Sequence, residues 1–292
     1  MNYSNWIISN KTCICCVIGH PIDKSLSPIM HNEAFRAKDL DYVYLAFDVN
    51  ESHLKKAVEG LRALRVRGFN VTMPHKVTIM NLLDSIDKGA SLVGAVNTVV
   101  NDDGKLIGYN TDLDGVIFAL EAKVHSLKGL KSLLIGAGGA ARACIVALVS
   151  KGCKEIVVMN RTFNKAKSMV EDLSKKLKMT LNVKGLNINS LKRAIKSVDI
   201  LINATPIGTY PNLEESFIPQ ELIKKDMVVF DVVYNPRKTK LIRDAEKMGA
   251  KTIPGYEMFV GQGVASFKLW TGIDAPIDIM RRAVLKALGR FY

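Results

Sequence analysis

The 292-residue chain lacks any apolar run near the ~18–20 residues that a membrane-spanning helix requires. Lys11 interrupts the apolar residues near the N-terminus, and no small-residue cleavage site follows them, so nothing reads as a secretory signal. The expected location is cytoplasmic. Cysteine is scarce and odd in number: Cys13, Cys15, Cys16, Cys144 and Cys153. Five cysteines in a long chain do not suggest a disulfide framework. Three of them fall on one strand-like segment, where successive side chains point to opposite faces, which argues against a shared metal. The histidines offer no H-x-x-x-H pair either. His20, His31 and His75 read as polar surface or loop residues, His53 and His125 add no ligand spacing, and no metal is expected. Internal repeats and low-complexity tracts are absent. Basic charge is plentiful: 41 Lys and Arg against 28 Asp and Glu leave +13. The lysines are dispersed and accompany no nucleic-acid motif. The excess therefore reads as a solvated surface that attracts small anions, with no nucleic acid and no membrane as partner.

The first third alternates strand-like and helix-like segments. Thr12 to Ile18 reads as a buried strand. Ser27 followed by Pro28 reads as an N-cap and first helical residue of a helix to about Lys38. Tyr42 to Val49 and Val66 to Val71 read as strands, and Leu54, Ala57, Val58, Leu61 and Leu64 have helical spacing. Asn101-Asp102-Asp103-Gly104 is a hairpin turn between Ala95–Val100 and Lys105–Tyr109. The middle third changes style. Apolar strands at Lys131–Ile135 and Glu155–Met159 alternate with an alanine-rich helix and a helix at Phe163–Leu177. Ile200–Asn203 and Met227–Asp231 read as further buried strands. This is the βαβ pattern of a doubly wound parallel sheet. The predicted fold is α/β with two domains. Residues 1–112 and 255–292 form a discontinuous α/β substrate domain, to which two C-terminal helices separated near Pro276 return. Residues 113–254 form a Rossmann-type nucleotide domain.

Four segments carry chemistry. Gly136-Ala137-Gly138-Gly139-Ala140 lies at a strand-to-helix turn. There, glycines let the backbone approach a pyrophosphate, and free helix N–H groups meet it. Sites that prefer NAD place an acid at the end of the second strand. Here that position reads Asn160-Arg161-Thr162 with Lys165 close behind. No carboxylate repels a 2′-phosphate, and two cations attract it, so NADP(H) is the expected cofactor. Asn70-Val71-Thr72-Met73-Pro74-His75-Lys76 and Asn110-Thr111-Asp112 are polar loops following strands. A lysine held beside an aspartate relays a proton to or from a substrate oxygen. Ordinary turn and cap chemistry accounts for the same residues, since Asp112 alone would make a good N-cap.

Taken together, these segments resemble the shikimate dehydrogenase family. Gly19-His20-Pro21 with Ser25-Leu26-Ser27-Pro28 and His31-Asn32 looks like its S-x-S-P segment, and Asn70 to Lys76 like its N-V-T-x-P-x-K motif. Gly94 to Thr98, Gly108 to Asp112, Gly136 to Ala140, Asn160 to Thr162, Asn203-Ala204-Thr205-Pro206, Asp231 to Pro236 and Gly255 to Val260 with Gln262 match further motifs, in order. The resemblance implies reversible, NADP-dependent reduction of 3-dehydroshikimate to shikimate, on the route to chorismate and aromatic amino acids. It implies Lys76 and Asp112 as the catalytic pair. Ser25, Ser27, Thr72, Asn97 and Gln262 would bind the substrate, with Tyr234 assisting. Gly136, Gly138, Gly139, Ala140, Asn160, Arg161, Thr162 and Lys165 would bind the cofactor, and Thr205, Gly255 and Met258 would border its nicotinamide end. A monomer or homodimer is expected. Tyr256 and Phe259 stand where the family often has leucine, and Thr209-Tyr210 replaces a frequent methionine. Ser27, often replaced in quinate-using relatives, is retained. A dual quinate/shikimate dehydrogenase and a non-catalytic sensor of shikimate-type acids remain as alternatives. Retention of both Lys76 and Asp112 speaks against the sensor.

Overall fold

The computed structural model describes residues 7–289; residues 1–6 and 290–292 of the expected first domain lie outside the described residues. The chain forms two compact units: the first runs to Thr111 and resumes at Gln262, and the second is Asp112–Gly261. The second boundary falls inside helix α9 (Gly255–Thr271) rather than at its start. Local packing explains the shift. A Cβ on Gly255 would lie 2.4 Å from the Val233 carbonyl oxygen, and one on Gly261 would lie 2.8 Å from Phe118 Cβ. The first turns of α9 therefore pack with the second unit.

The first unit contains β1 (Cys13–Gly19), α1 (Ser27–Ala37), β2 (Tyr42–Asp48), α2 (Leu54–Ala63), β3 (Gly68–Val71), β4 (Ser85–Ile86), α3 (Lys88–Val93), β5 (Thr98–Asp102) and β6 (Lys105–Tyr109), with α10 (Ile277–Leu288) after the return. Its sheet has the order β2-β1-β3-β5-β6-β4. Strand β1 lies parallel to both neighbours, and Cys15 to Gly19 are all buried, as a strand covered on both faces must be. The β5–β6 hairpin turns at Asp103 (φ 47°) and Gly104 (φ 92°), the left-handed pair that a two-residue hairpin turn demands. Leu54, Val58 and Leu61 of α2 place their helical stripe on a core with Cys16, Ile18, Phe69 and Val99. Ser27 departs from its expected role. It is the first helical residue of α1, Leu26 is the N-cap, and no side chain caps the helix.

The second unit begins with α4 (Thr111–Glu121), which takes its first residue from the first unit. It continues through β7 (Lys131–Ile135), α5 (Gly139–Ser150), β8 (Glu155–Asn160), α6 (Phe163–Leu177), β9 (Asn182–Gly185), α7 (Ile188–Ala194), β10 (Ile200–Asn203), β11 (Val228–Asp231), α8 (Lys240–Lys247) and β12 (Lys251–Ile253). All six strands are parallel, in the order β12-β11-β10-β7-β8-β9. That is the Rossmann order. The winding reverses between β7 and β10, and ligands of such sheets bind at the carboxyl ends flanking this reversal. Among the described residues, no helix is long and apolar enough to cross a membrane.

Candidate active site

In the first unit, the topology brings the carboxyl ends of β1, β3 and β6 and the start of β5 to one edge. β1 and β3 run parallel, and the antiparallel ladder pairs Asn70 with Thr98 and Thr98 with Tyr109. Thr72, Lys76, Asn97 and Thr111 all leave the sheet there. A buried polar network ties Asn97 and Thr111 to Asn70, Thr98 and Ser266. The Tyr44 hydroxyl donates to Asn70 Oδ1 at 2.6 Å, and Ser27 hydrogen-bonds Tyr44. Asn70 Nδ2 lies 2.9 Å from Thr98 Oγ1 and 3.1 Å from Ser266 Oγ. The hydroxyls of Thr98, Thr111 and Ser266 close a triangle of 2.8, 2.9 and 3.0 Å. Asn97 joins it by donating to Thr111 Oγ1 at 3.0 Å and accepting the Thr111 backbone N–H at 2.6 Å. Ser266 Oγ also donates to the Gln262 carbonyl at 2.9 Å. Of the expected substrate residues, Ser27, Asn97 and Gln262 are thus held within one buried hydrogen-bonded cluster. Ser25 receives the Ser27 N–H at 3.3 Å, and the Thr72 methyl fills the space beside Gly19, where a Cβ would meet it at 2.2 Å.

Lys76 sits half-buried on the turn after β3. Its carbonyl accepts the Val96 N–H at 2.8 Å, which places the turn beside Asn97. The next residue back, His75, is buried, and its Nε2 donates to the Val49 carbonyl at 2.6 Å. His31 is also buried; it stacks on Tyr44 with ring centroids 4.5 Å apart. His75 lies on a loop, as the sequence suggested, though it is buried; His31 is neither a surface nor a loop residue, because it sits on α1 and its ring completes an aromatic packing site. His20 does lie on the surface, 2.7 Å from Asp48. Among the described residues, no group of His, Cys, Asp or Glu could hold a metal. Asp112 belongs to the second unit. It is buried in the first turn of α4, where the helix dipole favours a carboxylate. Its charge reaches Cys144 on α5, whose thiol is pushed up by burial first and by Asp112 second.

Of the residues expected to bind the cofactor, Gly136, which follows β7, and Thr205, which follows β10, flank the winding reversal of the second unit. Gly136 follows β7 with φ +129°, and a Cβ there would lie 2.5 Å from the Ala204 carbonyl oxygen, so only glycine lets the β7 and β10 loops approach. A Cβ on Gly138 would meet nothing within 4 Å, which leaves open space over the start of α5. Gly138 is the N-cap of α5, and no side chain satisfies the helix's first N–H groups, whereas Thr239 does so for α8. An uncapped helix start of this kind has the N–H groups and the dipole end that suit an anionic group. At the end of β8, Asn160 Nδ2 donates to the Thr162 carbonyl at 2.9 Å and closes the turn. Arg161, Thr162 and Lys165 are exposed there, with no acid among them. Thr205 follows β10, Met258 is buried on α9, and Gly255 packs on Val233. Tyr234, half-buried, stacks on Phe259 at 4.5 Å, and burial raises its hydroxyl.

Family models described as the shikimate dehydrogenase substrate binding domain, shikimate/quinate 5-dehydrogenase and the shikimate 5′-dehydrogenase C-terminal domain match residues 17–99, 119–254 and 255–285. The chain belongs to the shikimate dehydrogenase family. The shikimate dehydrogenase (NADP(+)) of Methanocaldococcus jannaschii is 45% identical over 96% of this chain and 98% of its own length. A crystal structure of a shikimate dehydrogenase in complex with NADP+ superposes with a TM-score of 0.91 at 45% identity, covering 96% of this chain and 97% of that one. The enzyme of Listeria monocytogenes, solved with shikimate and NAD, gives 0.88 at 40% identity, covering 94% and 97%. Within this family frame, the structure adds residues that the motifs did not single out as functional. Thr98, Thr111 and Ser266 hydrogen-bond one another, and Tyr44 joins them through Asn70 to hold the polar edge. Thr98 and Thr111 fall inside motifs that gave them no role of their own, and nothing local marks Tyr44 or Ser266, which reaches Asn70 across 196 residues of chain.

Proposed function

We propose that the chain catalyses the reversible NADP-dependent interconversion of 3-dehydroshikimate and shikimate. The first unit binds the substrate and the second the cofactor. The observation that carries this reading is the joint presence of two features in a chain of this family. One is a polar sheet edge that presents Lys76 beside Asn97. The other is an uncapped glycine turn whose neighbouring strand ends in Arg161 and not in an acid. The cofactor, when bound, supplies or accepts the hydride. Gly136, Gly138, Gly139 and Ala140 receive its pyrophosphate, while Asn160, Arg161, Thr162 and Lys165 receive the adenosine 2′-phosphate. Thr205, Gly255 and Met258 border the nicotinamide end.

Ser25, Ser27, Thr72, Asn97 and Gln262 bind the hydroxyls and carboxylate of the cyclohexene acid, with Tyr234 assisting. In reduction, the Lys76 ammonium donates a proton to the oxygen that develops negative charge, and Asp112 orients the lysine and balances its charge. In oxidation Lys76 takes the proton back. A pocket of fixed donors and acceptors discriminates strongly, because an analogue lacking one hydroxyl leaves a buried partner unpaired, at a cost of ~10⁴-fold in favourable cases. The chain acts in the cytoplasm as a monomer or homodimer, which light scattering distinguishes. The test is initial rates with shikimate and quinate, each with NADP+ and NAD+. Shikimate with NADP+ should give the highest kcat/KM. Comparable turnover of quinate would replace the reading with dual specificity, and no turnover by folded protein would replace it with a sensor.

A further inference from the structure

The loops after β10 and β11 converge on one buried carboxylate. Asp231, the last residue of β11, is fully buried at 0% exposure. Its Oδ1 accepts from Asn203 Nδ2 at 2.9 Å and from the Val233 backbone N–H at 3.1 Å, and its Oδ2 accepts from Thr239 Oγ1 at 2.6 Å. Asn203 passes the constraint on. Its Oδ1 accepts from the Thr205 hydroxyl at 2.7 Å and the Thr205 N–H at 3.1 Å. A side-chain amide has one donating end and one accepting end. An ionised carboxylate only accepts, so together with the more distant Ile207 carbonyl at 3.3 Å it claims the donating end of Asn203 and turns the accepting end to Thr205. The same carboxylate holds the Val233 turn that leads to Tyr234 and against which Gly255 is packed. Thr239, its third partner, caps α8 by accepting the Ile242 N–H at 3.3 Å.

We propose that Asp231 is a positioning residue for the cofactor: its ionised carboxylate sets the Asn203–Thr205 turn and the Val233–Tyr234 turn in the arrangement that receives the nicotinamide end. The proposal rests on the function given above, and Asp231 itself touches neither substrate nor cofactor in it. All three neighbours of the carboxylate donate, so a proton added to it has no acceptor until one of them gives up its bond. Burial raises the Asp231 pKa to about 6 against the lowering effect of the three hydrogen bonds. No charged side chain contributes to that shift. β10 presents Asn203 and α8 presents Thr239. Lys240 at the start of α8 is paired with Asp244 at 2.5 Å, and Lys251 on β12 is exposed. The arrangement is therefore intact at neutral pH and loosens in the weakly acid range.

The test is calorimetric titration of NADP+ into the full-length chain at about pH 7.5 and pH 5.5, for wild type and Asp231→Asn. The 2′-phosphate of NADP+ titrates in the same range, but it contributes equally to both proteins, so the difference between them isolates Asp231. Asp231→Asn should bind roughly tenfold more weakly at the higher pH, and the two proteins should converge at the lower one. A folded variant with wild-type affinity at both pH values overturns the proposal. If Asp231→Asn does not fold, Asn203→Ala keeps the carboxylate and cuts its link to Thr205. It should weaken NADP+ by a similar factor, and unchanged affinity would equally overturn the proposal. Wild type that binds no NADP+ at either pH removes the cofactor reading itself, a different outcome from either of these.

Discussion

Replacing His31 by Phe should relieve the first unit of much of its acid sensitivity. His31 is fully buried, and among the described residues neither ring nitrogen has a hydrogen-bond partner. The ring stacks on Tyr44 at 4.5 Å with an interplanar angle of 12° and lies 5.3 Å from Trp270. Burial lowers its pKa from 6.5 to about 3. The folded state therefore binds this proton more weakly than the unfolded state. The stability associated with neutral His31 is complete above the unfolded pKa near 6.5 and is lost as pH falls toward 3. Between pH 7 and pH 5 that loss amounts to ~2 kcal/mol. Phe keeps an aromatic ring in the stack and takes up no proton. It also removes two unsatisfied polar atoms, so its cost at neutral pH should be small, within ~1 kcal/mol of overpacking. Asp231 works in the opposite sense. Its raised pKa gives stability that is present below 3.8 and lost as pH rises through about 6. It lies in the second unit and is unchanged in the variant, so it cancels in the comparison. Thermal melts followed through tryptophan fluorescence should show the wild-type midpoint falling roughly 4–8 °C further than that of His31→Phe from pH 7 to 5. Parallel pH dependences would refute the assignment of a buried, unpaired imidazole.

Three further outcomes follow from the geometry. Gly136→Ala puts a Cβ 2.5 Å from the Ala204 carbonyl at a φ of +129°, so NADP+ affinity by calorimetry should drop ~10²-fold, with ~2 kcal/mol of lost stability in urea melts. Arg161→Ala should raise the KM for NADP+ ~10-fold and leave the KM for NAD+ nearly unchanged, because only the former carries the 2′-phosphate. Ser266→Val leaves the Thr98 and Thr111 hydroxyls and Asn70 Nδ2 short of a partner in a buried site. It should cost ~1–3 kcal/mol in denaturant unfolding, and a neutral result would mean the triangle contributes little.

The fold was legible where burial and turn chemistry act over short stretches of chain. The apolar runs at Lys131–Ile135 and Ile200–Asn203 are read directly, because strands covered on both faces must be apolar throughout. Asp103-Gly104 announces its hairpin through backbone conformation alone. The strands Asn182–Gly185 and Lys251–Ile253 were not legible. They are short, lie at the two ends of the sheet and carry lysines, so neither shows a clean buried face. The site followed the same division. Motif positions such as Lys76, Asp112 and Gly136 stand out in sequence because a turn or a helix start dictates their neighbours. Ser27 and His31 were misread for the opposite reason. A serine before Pro28 looks like a cap, yet its hydroxyl is turned to Tyr44; a lone histidine looks solvated, yet Tyr44, Trp270 and Phe35 enclose it. Both depend on partners far along the chain, which local patterns do not encode.

The most direct test of the central claim is the rate of NADP+ reduction by shikimate, followed by NADPH absorbance, in wild type and in Lys76→Ala. The account predicts turnover by wild type and a fall in kcat of ~10²-fold or more in a variant that still binds both ligands. A folded Lys76→Ala protein with wild-type kcat would contradict the proton-transfer role, and a wild type that binds shikimate and NADP+ without turnover would contradict the account as a whole.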